Sequence, residues 1–182
     1  MMIVGESAIG PSLGAENVRR GTQAVMYSFL FVLVFFVFYY KTFGIVTNVA
    51  LLLNLLIVIA IMSALGATMS LPGLAGIALT VGMSVDANVL INERIREEMR
   101  LGKTARAALE AGYEKAFWTI MDSNLTTLLA GLILFQFGTG PIKGFAVTLS
   151  VGIATTLFTA MFITRLIYDA YMARRHVERL SI

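Results

Sequence analysis

A chain of 182 residues is long enough for one soluble domain, but 58% of this one is hydrophobic and only 14% is charged. Soluble domains carry about a half and a quarter respectively, so too little polar surface exists here to coat a globule, and a lipid-facing exterior resolves the conflict. The net charge of +3 gives no support to nucleic-acid binding, because Lys and Arg gather at the ends of apolar blocks as membrane topology requires, and the absence of Cys excludes disulfides, thiolate nucleophiles and Cys-based metal sites.

Residues 1–20 are Gly-containing and polar and read as an extramembrane lead-in. No charge lies between Arg20 and Lys41, which predicts a first span over 21–40 with Tyr39 and Tyr40 at an interface. That run is too long for a removable signal peptide and lacks a small-residue cleavage site. From Gly44 to Val85 the chain is again uncharged, too long for one span, so a break is expected at Gly66–Pro72. The second span then covers 44–65 and the third 71–92, with Pro72 suited to an opening turn where its missing N–H is not required.

The segment 93–116 is charged and reads as a solvated loop with two short helices, interrupted at Gly102 and Gly112, in which Glu93 and Glu97 oppose Arg96 and Arg100. A fourth span is expected over 117–136. The turn Gly138–Gly144 leads into a fifth span over 144–168, and residues 169–182 form a tail. His176, the one histidine, lies among Arg174, Arg175 and Arg179 and reads as solvated; with no second ligand set, no metal and no cofactor are expected. The predicted fold is all-α, a polytopic transmembrane helix bundle. Eleven of the fourteen Lys and Arg fall on one side, against Arg19, Arg20 and Lys143 on the other. The positive-inside rule therefore places the C-terminus in the cytoplasm and the N-terminus outside. Five spans with an outside start predict that an earlier span and an external domain precede this sequence.

Asp86 is the one charge in the third span, about six residues and hence ~9 Å from its cytoplasmic end. A mid-span aspartate costs around 3 kcal/mol on insertion scales, which makes it a functional candidate. Hydrocarbon penalises the charged form of a carboxyl, so such a group is suited to taking up and releasing protons; the alternative role is a hydrogen-bonded carboxyl that ties helices together. Gly82, one turn earlier, would let a neighbouring helix approach. Asn88 and Asn92 form a polar ridge with Ser84. Asp122 opens the fourth span in DSNLTT, about five residues deep and near the level of Asp86. Thr148, Gly152, Thr155 and Thr159 line one face of the fifth span, either as part of a hydrated path or as back-bonded packing residues. Asn54 reads as an interhelical hydrogen bond. An aspartyl protease built on Asp86 and Asp122 is the enzyme alternative, but MSVD does not resemble the GxGD motif of that class, and no enzyme activity is expected.

Three stretches, VGMSVDANVLINERIREE (81–98), DSNLTTLLAG (122–131) and FGTGPIKGFAVT (137–148), resemble the SecD/SecF family of protein-export membrane proteins, and IGPSLG (9–14) resembles the segment returning from that family's periplasmic domain. The resemblance covers nearly the whole chain. It implies the RND-superfamily fold, with five of the six spans of one membrane half present, and use of the proton motive force to assist late translocation of preproteins across the bacterial inner membrane. The aspartate of the VDAN motif, here Asp86, would belong to the proton pathway, with Asn88, Asp122 and Thr155 as further candidates and Gly82 as a packing residue. Implied partners are SecF or a fused SecF-like half, the SecYEG channel with SecA, YajC, the preprotein and membrane lipid. The lead-in would be periplasmic. A proton-coupled small-molecule exporter of the same superfamily and a passive membrane scaffold are the alternatives.

Overall fold

The computed structural model describes residues 11–66 and 71–174, and its elements are α1 (Pro11–Ala64), α2 (Leu71–Arg100), α3 (Ala105–Phe137), α4 (Pro141–Phe158), a π turn (Thr159–Ile163) and α5 (Thr164–Arg174). Expectations that fall on residues 1–10, 67–70 and 175–182, including solvation of His176, lie outside the described residues. Among the described residues, four segments are long and apolar enough to cross a membrane: Glu16–Ala64, Leu71–Arg100, Ala105–Phe137 and the continuous rod Pro141–Ala173. The sequence reading counted five because it divided the first of these.

Lys41 explains the difference. It interrupts α1 with φ 50° and ψ −116°, outside helical values. Beyond it the chain turns back, since the Asn48 side-chain amide donates to the Leu33 carbonyl at 2.9 Å. In a straight helix those residues would be about 22 Å apart. The two halves close tightly near the turn: a Cβ on Gly44 would collide with the Phe36 carbonyl, so only glycine fits there.

The charged segment also differs from expectation. It is not a loop with two short helices. α2 continues to Arg100, a turn with Gly102 at φ 86° follows, and α3 begins at Ala105, capped by Thr104, whose hydroxyl accepts from the Ala107 N–H at 3.5 Å. Gly112 does not break α3; it sits inside it, where a Cβ would lie 2.8 Å from the Ile95 nitrogen and 2.9 Å from its Cα. Residues 11–20 of the lead-in are likewise helical. At the other end, Gly138 closes α3 by donating to the Leu134 carbonyl at 2.8 Å, Gly140 adopts φ 48°, and Pro141 opens α4.

α4 packs against α1, α2 and α3. Its contacts with α2 are made by small residues: a Cβ on Gly76 would lie 3.0 Å from Thr148 Cβ, and one on Gly152 would overlap the Thr80 hydroxyl. A core of larger side chains gathers nearer the charged end, with Phe36, Tyr40, Phe43, Ile91, Ile95, Leu109, Tyr113 and Tyr168 all buried. Outside, Phe31, Phe38, Leu56, Leu129 and Ile133 are exposed, an apolar exterior of the kind that lipid covers.

Candidate functional site

α2 carries the chemistry. Its buried stripe runs Thr80, Ser84, Asn88, Ile91, Ile95, Glu98 at helical spacing, while Asp86 lies off that stripe and is exposed. Asp86 opens onto a cleft of about 390 Å³ between α2 and α3, shared with Met83, Leu90, Thr119, Ser123, Asn124 and Thr127. The α3 wall is polar because DSNLTT winds one turn of hydroxyls and amides onto it. Ser123 and Thr127 turn their hydroxyls to the carbonyls of Ile120 and Ser123 at 3.1 and 3.0 Å, and the Asn124 amide donates to the Ile120 carbonyl at 2.8 Å. Those back-bonds leave the Asn124 side-chain oxygen buried without a partner among the described residues. It is an acceptor available to a water or a proton-bearing group. Asp86 itself makes no ion pair among the described residues.

The other expected site residues are not brought to this cleft. Asn88 is buried on the far side of α2, donating to the Ser84 carbonyl at 2.8 Å. Asp122 is exposed and outside the cleft lining. Thr155 is buried in α4 and donates to the Gly152 carbonyl at 3.0 Å. Gly82 is exposed, with nothing within 4 Å of where its Cβ would be, and it faces a separate apolar crevice lined by Ala24, Phe29 and Val32 of α1. The threonine stripe of the fifth expected span is a packing surface: Thr148 and Thr159 are buried and bond back to the carbonyls of Gly144 and Thr155.

Two buried polar arrangements tie the bundle around this helix. The Asn92 amide donates to Thr47 Oγ1 at 3.0 Å, and its carbonyl oxygen accepts from the Tyr168 hydroxyl at 2.9 Å, joining α1, α2 and α5. The Asn54 amide donates to Thr156 Oγ1 at 3.2 Å, the interhelical bond expected of it. At the charged end, Glu98 is 1% exposed yet ionic, held by Lys103 at 2.6 Å and Lys115 at 2.5 Å. Hydrogen bonds from Lys103 first and Lys115 second hold its carboxyl below the ordinary carboxylate range, and the Glu98 hydrogen bond raises Lys115 in turn. Sequence reading missed this clasp. Extending the Ile91–Ile95 stripe by three residues would have found Glu98. Of the surface pairs expected, Arg96 does bond Glu93 at 3.0 Å, while lying over the Tyr39 ring at 5.2 Å, whereas Glu97 pairs with Arg94 at 2.7 Å and not with Arg100.

Residues 1–174 match the family described as protein export membrane protein SecD/SecF, C-terminal. The chain belongs to that family. Relatives named protein translocase subunit SecD include one from Syntrophobacter fumaroxidans, 54% identical across 99% of this chain and 34% of the relative. Another, from Haemophilus influenzae, is 50% identical across 100% of this chain and 30% of the relative. Among solved structures, SecDF of Thermus thermophilus, described as a translocon-associated membrane protein, superposes with a TM-score of 0.87 at 37% identity, over 93% of this chain and 24% of that one. The chain therefore spans about a third of the length of the curated relatives it matches.

Proposed function

We propose that the chain is the membrane portion of a protein-export subunit that uses the proton motive force, with Asp86 as the proton-carrying carboxyl. The observation that carries this reading is the placement of Asp86. It is the one charge on α2 before Glu93, about 22 Å from the start of the helix and about 10 Å from the next charge, yet it lies open on a cleft with a polar α3 wall. A carboxylate left on a lipid-facing flank costs around 3 kcal/mol. A second membrane half covering the cleft removes that cost and can supply the rest of a proton path, which fits SecF or a fused SecF-like half. One proton crossing 100 mV releases about 2.3 kcal/mol, enough to bias a two-state equilibrium about fiftyfold.

In this reading the halves of α1 on either side of Lys41 each cross the membrane, giving five crossings of a six-span RND-type half. The C-terminus and the charged ends of α2 and α3 are then cytoplasmic and the N-terminus periplasmic in the bacterial inner membrane. Further partners are the SecYEG channel with SecA, YajC and the preprotein, and the role is assistance to late translocation. The test is gradient-dependent preprotein export in vesicles carrying the full-length protein with Asp86→Asn, at matched abundance. Loss of the gradient-dependent part with ATP-driven export intact supports Asp86 as the coupling carboxyl; unchanged export overturns it and leaves Asp86 a structural group.

A further inference from the structure

A second cleft, of about 450 Å³, opens between α3 and the π turn, away from Asp86. Its two walls are graded in the same direction. On α3, Glu110, Glu114 and Trp118 follow one another at four-residue spacing, from the charged segment into the apolar one; on the opposite wall Arg165 stands at the charged end and Phe162 one turn further in. The cleft is thus charged at its solvent end and aromatic at its hydrocarbon end. Trp118 is 69% exposed and Phe162 67%, the position of an aromatic belt.

Arg165 makes no ion pair among the described residues; its guanidinium lies over the buried Tyr113 ring at 5.9 Å, which orients it. Glu114 likewise has no ion pair among the described residues, and Glu110 has only an exposed contact with Arg106 at 3.7 Å. The π turn bears on this geometry. It inserts one residue and so shifts everything after Ile163 by about 100° around the helix axis. The Thr164 hydroxyl stabilises it by donating to the Thr159 carbonyl at 2.9 Å.

We propose that this cleft holds the headgroup of a zwitterionic, amine-bearing phospholipid, with Arg165 on the phosphate, Glu110 and Glu114 on the ammonium, and Trp118 and Phe162 against the glycerol and upper acyl chains. Charge selects this class of lipid. Two carboxylates beside one guanidinium repel a purely anionic headgroup and complement one that carries both signs. The volume is that of a small-ligand cleft. The inference is independent of proton transfer at Asp86.

The experiment is lipid titration of the full-length protein in detergent, read by native mass spectrometry, with phosphatidylethanolamine and phosphatidylglycerol as separate probes. Wild type is expected to retain the ethanolamine lipid more tightly than the glycerol lipid. Arg165→Gln should weaken ethanolamine-lipid binding about tenfold, the loss of one charge-assisted bond, while Lys143→Gln at the opposite end of the bundle changes nothing. Glu114 is exposed and without an ion pair among the described residues, so Glu114→Gln should leave folding intact and narrow the preference between the two lipids, which decides the matter if the Arg165 variant unfolds. Equal retention by wild type and both cleft variants overturns the proposal, as does tighter binding of phosphatidylglycerol by wild type.

Discussion

Gly152→Ala tests the close contact between α2 and α4. The added Cβ would overlap Thr80 Oγ1 and come within 2.5 Å of Thr80 Cγ2 and 2.8 Å of its Cβ, where carbon atoms normally rest about 3.5–4.0 Å apart. Thr80 cannot swing away freely, because it is buried and its hydroxyl is bonded to the Gly76 carbonyl at 2.9 Å. α2 and α4 must therefore separate by about 1 Å, with an overpacking cost of about 2 kcal/mol. In a Thr80→Gly background all three obstructing atoms are gone, and the same Gly152→Ala change becomes neutral or gains up to about 1 kcal/mol of helix propensity. The predicted coupling between the two sites is thus about 2–3 kcal/mol. Unfolding of the full-length protein in mixed micelles, titrated with SDS and followed by circular dichroism, measures all four members of the cycle. An equal cost of Gly152→Ala in both backgrounds would refute the packing described, as would no cost in either.

Glu98→Gln removes the clasp between the end of α2, the Gly102 turn and α3. Because the folded carboxyl is held below its ordinary value of 4.5, its stabilisation is fully present above that pH and is lost as pH falls through the folded value. Thermal midpoints measured from pH 7 down to pH 3 should show a steeper acid decline in wild type than in Glu98→Gln; parallel curves would show that the clasp contributes nothing. In the Asn92 network, Tyr168→Phe should cost about 1 kcal/mol in the same SDS titration, within the range for membrane interhelical bonds. Asn92→Leu should cost more, since it strips partners from both the Thr47 and Tyr168 hydroxyls, and the double variant should cost less than the two added together. A strictly additive double variant would mean the two side chains are not bonded.

The sequence by itself determined which apolar runs become helices, though not how far α2 and α3 extend beyond them. In hydrocarbon a backbone must satisfy its own hydrogen bonds, so runs of about 20 uncharged residues become helices whatever surrounds them. The turn read over Gly138–Gly144 does close α3, but Pro141 within it already opens α4, three residues before the start expected at 144. Asp86 was legible for the same reason, since one charge in an apolar block needs no neighbour to be noticed. What the sequence could not determine was rotation about each helix axis, because that depends on which residues meet across the bundle. Only the tertiary structure decided that Gly112 is a contact with Ile95 inside a continuous helix and not a break, and that Glu98 is buried between two lysines while Asp86 is exposed. The division of α1 near Lys41 was legible from its charge between two apolar runs, whereas the close approach of Phe36 to Gly44 beyond that turn was visible only in the structure. It separated Asn88, Asp122 and Thr155 from the Asp86 cleft because small residues at Gly76, Thr80 and Gly152 let α4 claim the buried stripe of α2, leaving the flank that bears Asp86 uncovered.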